Sequence, residues 1–188
     1  MALLTLILRS RLPATAVIAL ALCARPALQT PETLENDVKA AFLFNFTKFV
    51  DWPDAAFATT DEPLRICVVA EAAFTRSVDR IVAGETVKGR PLQRVTPSTA
   101  ELTRCHVLYI GPAHLQTADQ LLASVDRAPV LTVGDSPAFL AHGAAISFVV
   151  MNDRVRFDIN PRAAERAGLM VSSKLLRVAR QVEPKGRS

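Results

Sequence analysis

Hydrophobic and polar positions change period several times along this chain, most sharply towards its C-terminal end. Ala144-Ala145-Ile146-Ser147-Phe148-Val149-Val150 is an apolar run of strand length, interrupted only by Ser147. A polar corner follows, Met151-Asn152-Asp153. The next six residues alternate: Val155, Phe157 and Ile159 fall on one face, Arg154, Arg156 and Asp158 on the other. Two strands around a short polar turn predict a hairpin. Asn160-Pro161 then sets a helix start, with Asn as the cap and Pro at the first helical position, where its missing N–H costs nothing. Gly168 is placed to end that helix. Ser172 or Ser173 can cap a second one over residues 174–180, with Leu175, Leu176, Val178 and Ala179 towards a sheet. This hairpin-and-helices unit is expected to close the edge of an α/β sheet.

Upstream, Val38, Ala41, Phe42, Asn45, Phe46, Phe49 and Val50 recur at spacings of three and four, which predicts a helix over residues 34–52. Trp52-Pro53 ends it, because the residue before proline avoids helical backbone. Residues 29–33 read as a linker. Branched apolar runs predict strands at 64–69, 92–95, 105–110 and 130–133. Helical patterns fit 72–82 and 113–125, with one turn at 137–141. Gly84 and Gly89 mark turns. This alternation predicts a three-layer α/β sandwich with a mostly parallel central sheet, closed by the C-terminal hairpin and helices. Residues 34–182 form one expected domain, and 183–188 a polar tail.

The first 28 residues stand outside that domain. Arg9 and Arg11 precede the apolar run 14–22, and small residues follow, the layout of a cleaved signal peptide of an exported, periplasmic protein. The run is too short to span a bilayer comfortably. Cys23 would fit a lipoprotein, but Leu22 is large where such signals want a small residue. Losing this segment removes three arginines and takes the net charge from +4 to +1. The remaining cations are scattered, so nucleic acid is not an expected partner. The mature chain keeps Cys67 and Cys105, both in or beside expected strands. In an exported protein two cysteines usually pair, with two buried free thiols as the alternative.

Six of the chain's eleven aromatic residues crowd together: Phe42, Phe44, Phe46, Phe49, Trp52 and Phe57. One helix face can bury Phe42, Phe46 and Phe49, but Phe44 points elsewhere. Either both faces pack within the domain, or Phe42, Phe44, Phe46, Phe49 and Trp52 offer a surface to a partner.

Catalytic signatures are missing from the sequence. No glycine follows the first strand at Val69-Ala70-Glu71-Ala72-Ala73 to cradle a phosphate, and no phosphate-loop lysine or nucleophile elbow occurs. His106, His114 and His142 lack ligand spacing, so no metal is expected. His106 fits a structural role. Asp135 reads as capping the turn at Ser136-Pro137, and Asp158 as pairing with Arg154 or Arg156 on a solvated face. A cleft at the strand carboxyl ends could be lined by Glu71, His114 and Asp135. Ser172, Ser173 and Lys174 could hold an anion at a helix start, or simply cap it. The chain is read as a binding protein needing no cofactor.

Three stretches resemble the YfiR family of periplasmic proteins: residues 38–53 (VKAAFLFNFTKFVDWP), 105–110 (CHVLYI), and the unit from Val130 through Val155-Arg156-Phe157-Asp158-Ile159-Asn160 to Ser172-Ser173-Lys174-Leu175-Leu176. The likeness runs over nearly all of 35–181. It implies a compact α/β domain that restrains an inner-membrane diguanylate cyclase by binding its periplasmic sensor region, so that cyclic di-GMP stays low and biofilm formation is limited. It also implies release governed by redox state and by an outer-membrane lipoprotein. Cys67 and Cys105 correspond to one cysteine pair of the family. The second pair, expected near the hairpin, is missing, since 145–152 holds no cysteine; the resemblance therefore favours a structural bridge over a redox switch. Two readings follow: an inhibitory partner of a membrane cyclase, or a small-molecule sensor using the strand-end cleft. A second copy of the chain is a further candidate partner.

Overall fold

The computed structural model describes residues 30–183. The expected signal segment with Cys23, and the tail beyond residue 183, lie outside the described residues. The first helix, α1 (Pro31–Phe49), starts earlier than its apolar pattern suggested. Thr30 caps it, accepting from the Thr33 N–H at 3.3 Å; Pro31 stands at the first position and Glu32 lies in the first turn. The expected linker 29–33 is thus largely helix. The helix also ends sooner than residue 52. Val50–Asp51 (β1) turns away to pair antiparallel with Met170–Val171 (β9). Lys88 fixes this departure, donating to the Val50 carbonyl at 2.8 Å and pairing with Asp51. A long-range strand pair has overridden local helical periodicity.

The main sheet holds β2 (Leu64–Val69), β3 (Thr86–Val87), β4 (Arg90–Val95), β5 (Val107–Ile110), β6 (Leu131–Gly134), β7 (Ile146–Met151), β8 (Arg154–Ile159) and β10 (Gln181–Val182), in the order β10-β8-β7-β6-β5-β2-β4-β3. The run from β4 through β2, β5 and β6 to β7 is parallel. Each end carries a hairpin, β3–β4 and β7–β8, with β10 laid parallel to β8. Both hairpins turn on two residues of positive φ, Lys88-Gly89 and Asn152-Asp153. Such loops match the twist of the strands they join.

Helices cover both faces. On one side lie α1, α2 (Ala72–Val82), α5 (Pro161–Arg166) and α6 (Ser173–Val178). On the other lie α3 (Ala118–Ala123), α4 (Ala138–Ala141) and a 3-10 turn, Thr99–Arg104. Strand β5 shows why both cores exist: Val107 and Tyr109 enter the first, Leu108 and Ile110 the second. The expected helix 113–125 is instead a 3-10 turn, Pro112–Thr117, followed by α3. Under α1, the rings of Phe42, Phe46, Phe148 and Phe157 meet at 5.0–6.2 Å between centroids. Each such pair adds about 0.5–1.5 kcal/mol beyond burial. Cys67 of β2 and Cys105, just before β5, form a disulfide across a separation of 38 residues.

Candidate docking site

Neighbouring side chains crowd the carboxyl ends of β5 and β6. A Cβ built on Gly134, the last residue of β6, would lie 2.2 Å from Phe139 of α4; one on Gly111 would lie 3.0 Å from Ala70. Between these ends and α1 sits a buried polar cluster. Lys39 is 5% exposed. Its ammonium pairs with Asp135 at 2.6 Å and with Glu35 at 2.6 Å. The Tyr109 hydroxyl donates to the same Asp135 carboxylate at 2.6 Å. Burial, reinforced by that neighbouring carboxylate, pushes the phenol above its ordinary range and keeps it protonated as a donor. Asp135 therefore clamps α1 to β5 and β6 rather than capping the turn at Ser136-Pro137; Ser136 itself accepts there, from the Ala138 N–H. Sequence reading missed Lys39 and Tyr109. The signal was a lysine on the stripe Lys39, Leu43, Phe46, Val50, at spacings of four, three and four.

Other expected cleft residues are scattered. Glu71 is exposed before α2, where its carbonyl accepts from Thr75. His114 is half-buried in the 3-10 turn, its N–H bonded to the Gly111 carbonyl. Ser172 lies beside the end of α1, its N–H bonded to the Phe49 carbonyl. Its hydroxyl accepts from the Lys174 N–H at 3.2 Å, a cap on the six-residue α6; Ser173 and Lys174 are exposed. Glu71, His114 and Asp135 each follow a strand, whereas the Ser172-Ser173-Lys174 corner belongs with the β1–β9 pair.

The aromatic residues of α1 also divide. Phe46 has no exposed surface. Phe42 and Phe49 pack partly against the core. Phe44 is half-buried under the Lys48 ammonium, 3.9 Å from its ring centre. The Trp52 indole donates to the His106 carbonyl at 3.1 Å. His106 is itself buried. Its Nδ1 accepts from the Arg65 N–H at 3.0 Å, its Nε2 faces the Ala56 carbonyl at 3.1 Å, and Phe57 stacks on it at 4.3 Å. These bonds require the Nε2-protonated tautomer. Burial holds the imidazole below its ordinary pKa, against the pull of Ala56. His106 is a neutral structural plug, as its sequence context suggested.

An open groove lies at the hairpin. A groove of 660 Å³ runs between the N-terminal half of α1 and the outer margin of β8. Leu34, Val38 and Val150 line it at 57%, 36% and 46% exposure, with Phe42 and Val155 beneath. Arg154 and Arg156 border it and are exposed; no salt bridge engages either among the described residues. The expected pairing with Asp158 does not occur. Asp158 is 3% exposed and is gripped by Arg180, whose Nε donates to Oδ1 at 2.8 Å while Nη2 bonds Oδ2. The cause is β10. The chain leaves α6 at Val178, the Arg180 N–H bonds the Phe157 carbonyl at 2.8 Å, and the guanidinium folds back over β8. This contact over 22 residues left no trace in local alternation.

Among the described residues, no helix is long and apolar enough to cross a membrane, and no cluster of three or more His, Cys, Asp or Glu could hold a metal. Residues 36–180 match the sequence model of the YfiR/HmsC-like family. Among solved structures, a conserved domain protein from Vibrio cholerae O1 biovar eltor superposes with a TM-score of 0.52 at 14% identity, over 79% of this chain. This chain spans 60% of that protein's length. An ABC domain from Streptococcus pneumonia, solved in complex with L-Trp, gives a TM-score of 0.45 at 12% identity, over 63% of this chain and 54% of that one. At 14% identity the likeness to the Vibrio protein concerns the fold alone.

Proposed function

Because the chain belongs to the YfiR/HmsC-like family of periplasmic regulators in cyclic di-GMP signalling, we propose that it is an inhibitory binding protein for the periplasmic sensor region of an inner-membrane diguanylate cyclase. The observation that carries this reading is the groove beside β8. It is an exposed apolar surface of a chain in which side chains crowd the ends of β5 and β6. Binding there would favour the inactive arrangement of the cyclase. Moving such an equilibrium from 99:1 to 1:99 takes a differential affinity of about 5.5 kcal/mol, within reach of a protein interface. An outer-membrane lipoprotein competing for the chain would reverse the effect. The strand-end sensor reading has less to rest on, since Phe139 occupies Gly134 and Ala70 crowds Gly111. Deleting the gene should raise cyclic di-GMP and biofilm mass, and re-expression should lower both. Nucleotide levels unchanged by deletion would refute the proposal.

A further inference from the structure

Among the described residues, the outer edge of β8 is only half covered. β10 pairs with it at Asp158 and Ile159 alone. The Arg180 N–H bonds the Phe157 carbonyl and the Glu183 N–H bonds the Ile159 carbonyl, so the peptide groups of Phe157 and Ile159 face outward. By the alternation of an antiparallel ladder, those of Val155 face the same way, while Arg154 and Arg156 bond inward to β7. No strand lies beside Val155 among the described residues. Its N–H and C=O open towards the groove against α1.

The two sides of this edge differ in chemistry. On one, Leu34, Val38 and Phe42 present apolar surface. On the other, Arg154, Arg156 and Arg180 share a second cavity of 530 Å³ with Met151 and Asn152. Among the described residues, only Arg180 there has a carboxylate partner, Asp158. Of the groove's own acids, Glu35 is held by Lys39, and Asp153 sits in the hairpin turn. A strand added beside Val155 would place alternate side chains on these two sides.

We infer that the exposed edge of β8 at residues 154–156 is a docking edge for an extended segment of a partner protein in which apolar and acidic residues alternate. The added strand continues the line of β10, with its apolar side chains against Leu34, Val38 and Phe42 and its carboxylates over Arg154 and Arg156. Main-chain bonds to Val155 supply affinity, and the two arginines supply the choice of partner. This deepens the partner-docking reading and rests on it.

The test uses the purified mature chain and three blocked eight-residue peptides: alternating Val-Glu, alternating Val-Lys, and one with four Glu followed by four Val. Binding is read by fluorescence anisotropy, and hydrogen exchange at the Val155 amide by NMR. The alternating Val-Glu peptide should bind at least about tenfold more tightly than the other two and slow exchange at Val155. Arg154→Glu with Arg156→Glu should reverse the preference towards Val-Lys. Equal binding of all three peptides, no binding, or binding without slowed exchange overturns the inference. So does a Val155 amide already protected in the free chain: protection lost on dilution would give the edge to a second copy, and protection kept on dilution would give it to the chain's own residues outside 30–183. A deletion strain with unchanged cyclic di-GMP would overturn the broader reading and leave the peptide result standing.

Discussion

Lys39 offers the most discriminating test of how this molecule is held together. Its ammonium is buried between Asp135 and Glu35, and the two carboxylates are not equivalent. The Asp135 side chain is 8% exposed, with Lys39 as its cation and Tyr109 as a neutral donor. The Glu35 side chain is 39% exposed and can turn to water. In Lys39→Met, Asp135 stays buried without a counter-charge. Breaking a buried pair from one side costs about 3–5 kcal/mol. In Asp135→Asn, Tyr109 keeps an acceptor and Lys39 keeps Glu35. The loss is then that of a charged hydrogen bond, about 1.5–3 kcal/mol. Lys39→Met should therefore be worse than Asp135→Asn by about 2 kcal/mol. With a urea slope of about 2 kcal/mol per molar, that places the two unfolding midpoints about 1 M apart. Equilibrium urea unfolding followed by tryptophan fluorescence reads this directly, because Trp52 is the chain's one Trp. A Lys39→Met cost below about 1 kcal/mol, or the reverse order of the two variants, would refute the clamp. Because α1 is also one wall of the groove, Lys39→Met should loosen that wall as well.

Three further outcomes follow from the geometry. Replacing both Cys67 and Cys105 with Ala should destabilise by about 4 kcal/mol, from the entropy of closing a loop of 38 residues; a midpoint shift worth under 1 kcal/mol in denaturant would contradict it. His106 should make the fold acid-sensitive. Its folded pKa lies below the ordinary value of about 6.5, so between the two values the unfolded chain holds more protons. Stability is full above about pH 6.5 and falls as pH drops through that window, and thermal melts of His106→Gln should show a flatter dependence between pH 7 and 5. Gly134→Ala should cost at least the roughly 1–3 kcal/mol of an overpacked core, because its Cβ would sit 2.2 Å from Phe139; a melting temperature unchanged from wild type would show that α4 yields freely.

The local code of this chain specified its elements well. Alternation over β8, the branched runs of β2, β5 and β6, the Asn160-Pro161 start of α5 and the stop at Gly168 each follow from a residue's own backbone preference or from burial on one face. The three-layer sandwich with a mostly parallel sheet follows from their order, and the family resemblance from the same stretches. Local patterns could not contain the pairings between distant residues. Periodicity carried α1 through Val50, but β9 takes Val50 and Asp51 from it. Alternation set Asp158 on the solvated face, but β10 returns Arg180 to bury it. Both β9 and β10 are two residues long, too short to show a period. The buried cluster of Lys39, Tyr109 and Asp135 draws on three elements that meet only after folding. Backbone preference and hydrophobic period are properties of neighbours in sequence, and they set the long helices and strands but not the two-residue strands. The partners of buried charges, and the edge at Val155 that no strand covers among the described residues, depend on contacts across tens of residues, and only the tertiary structure decided them.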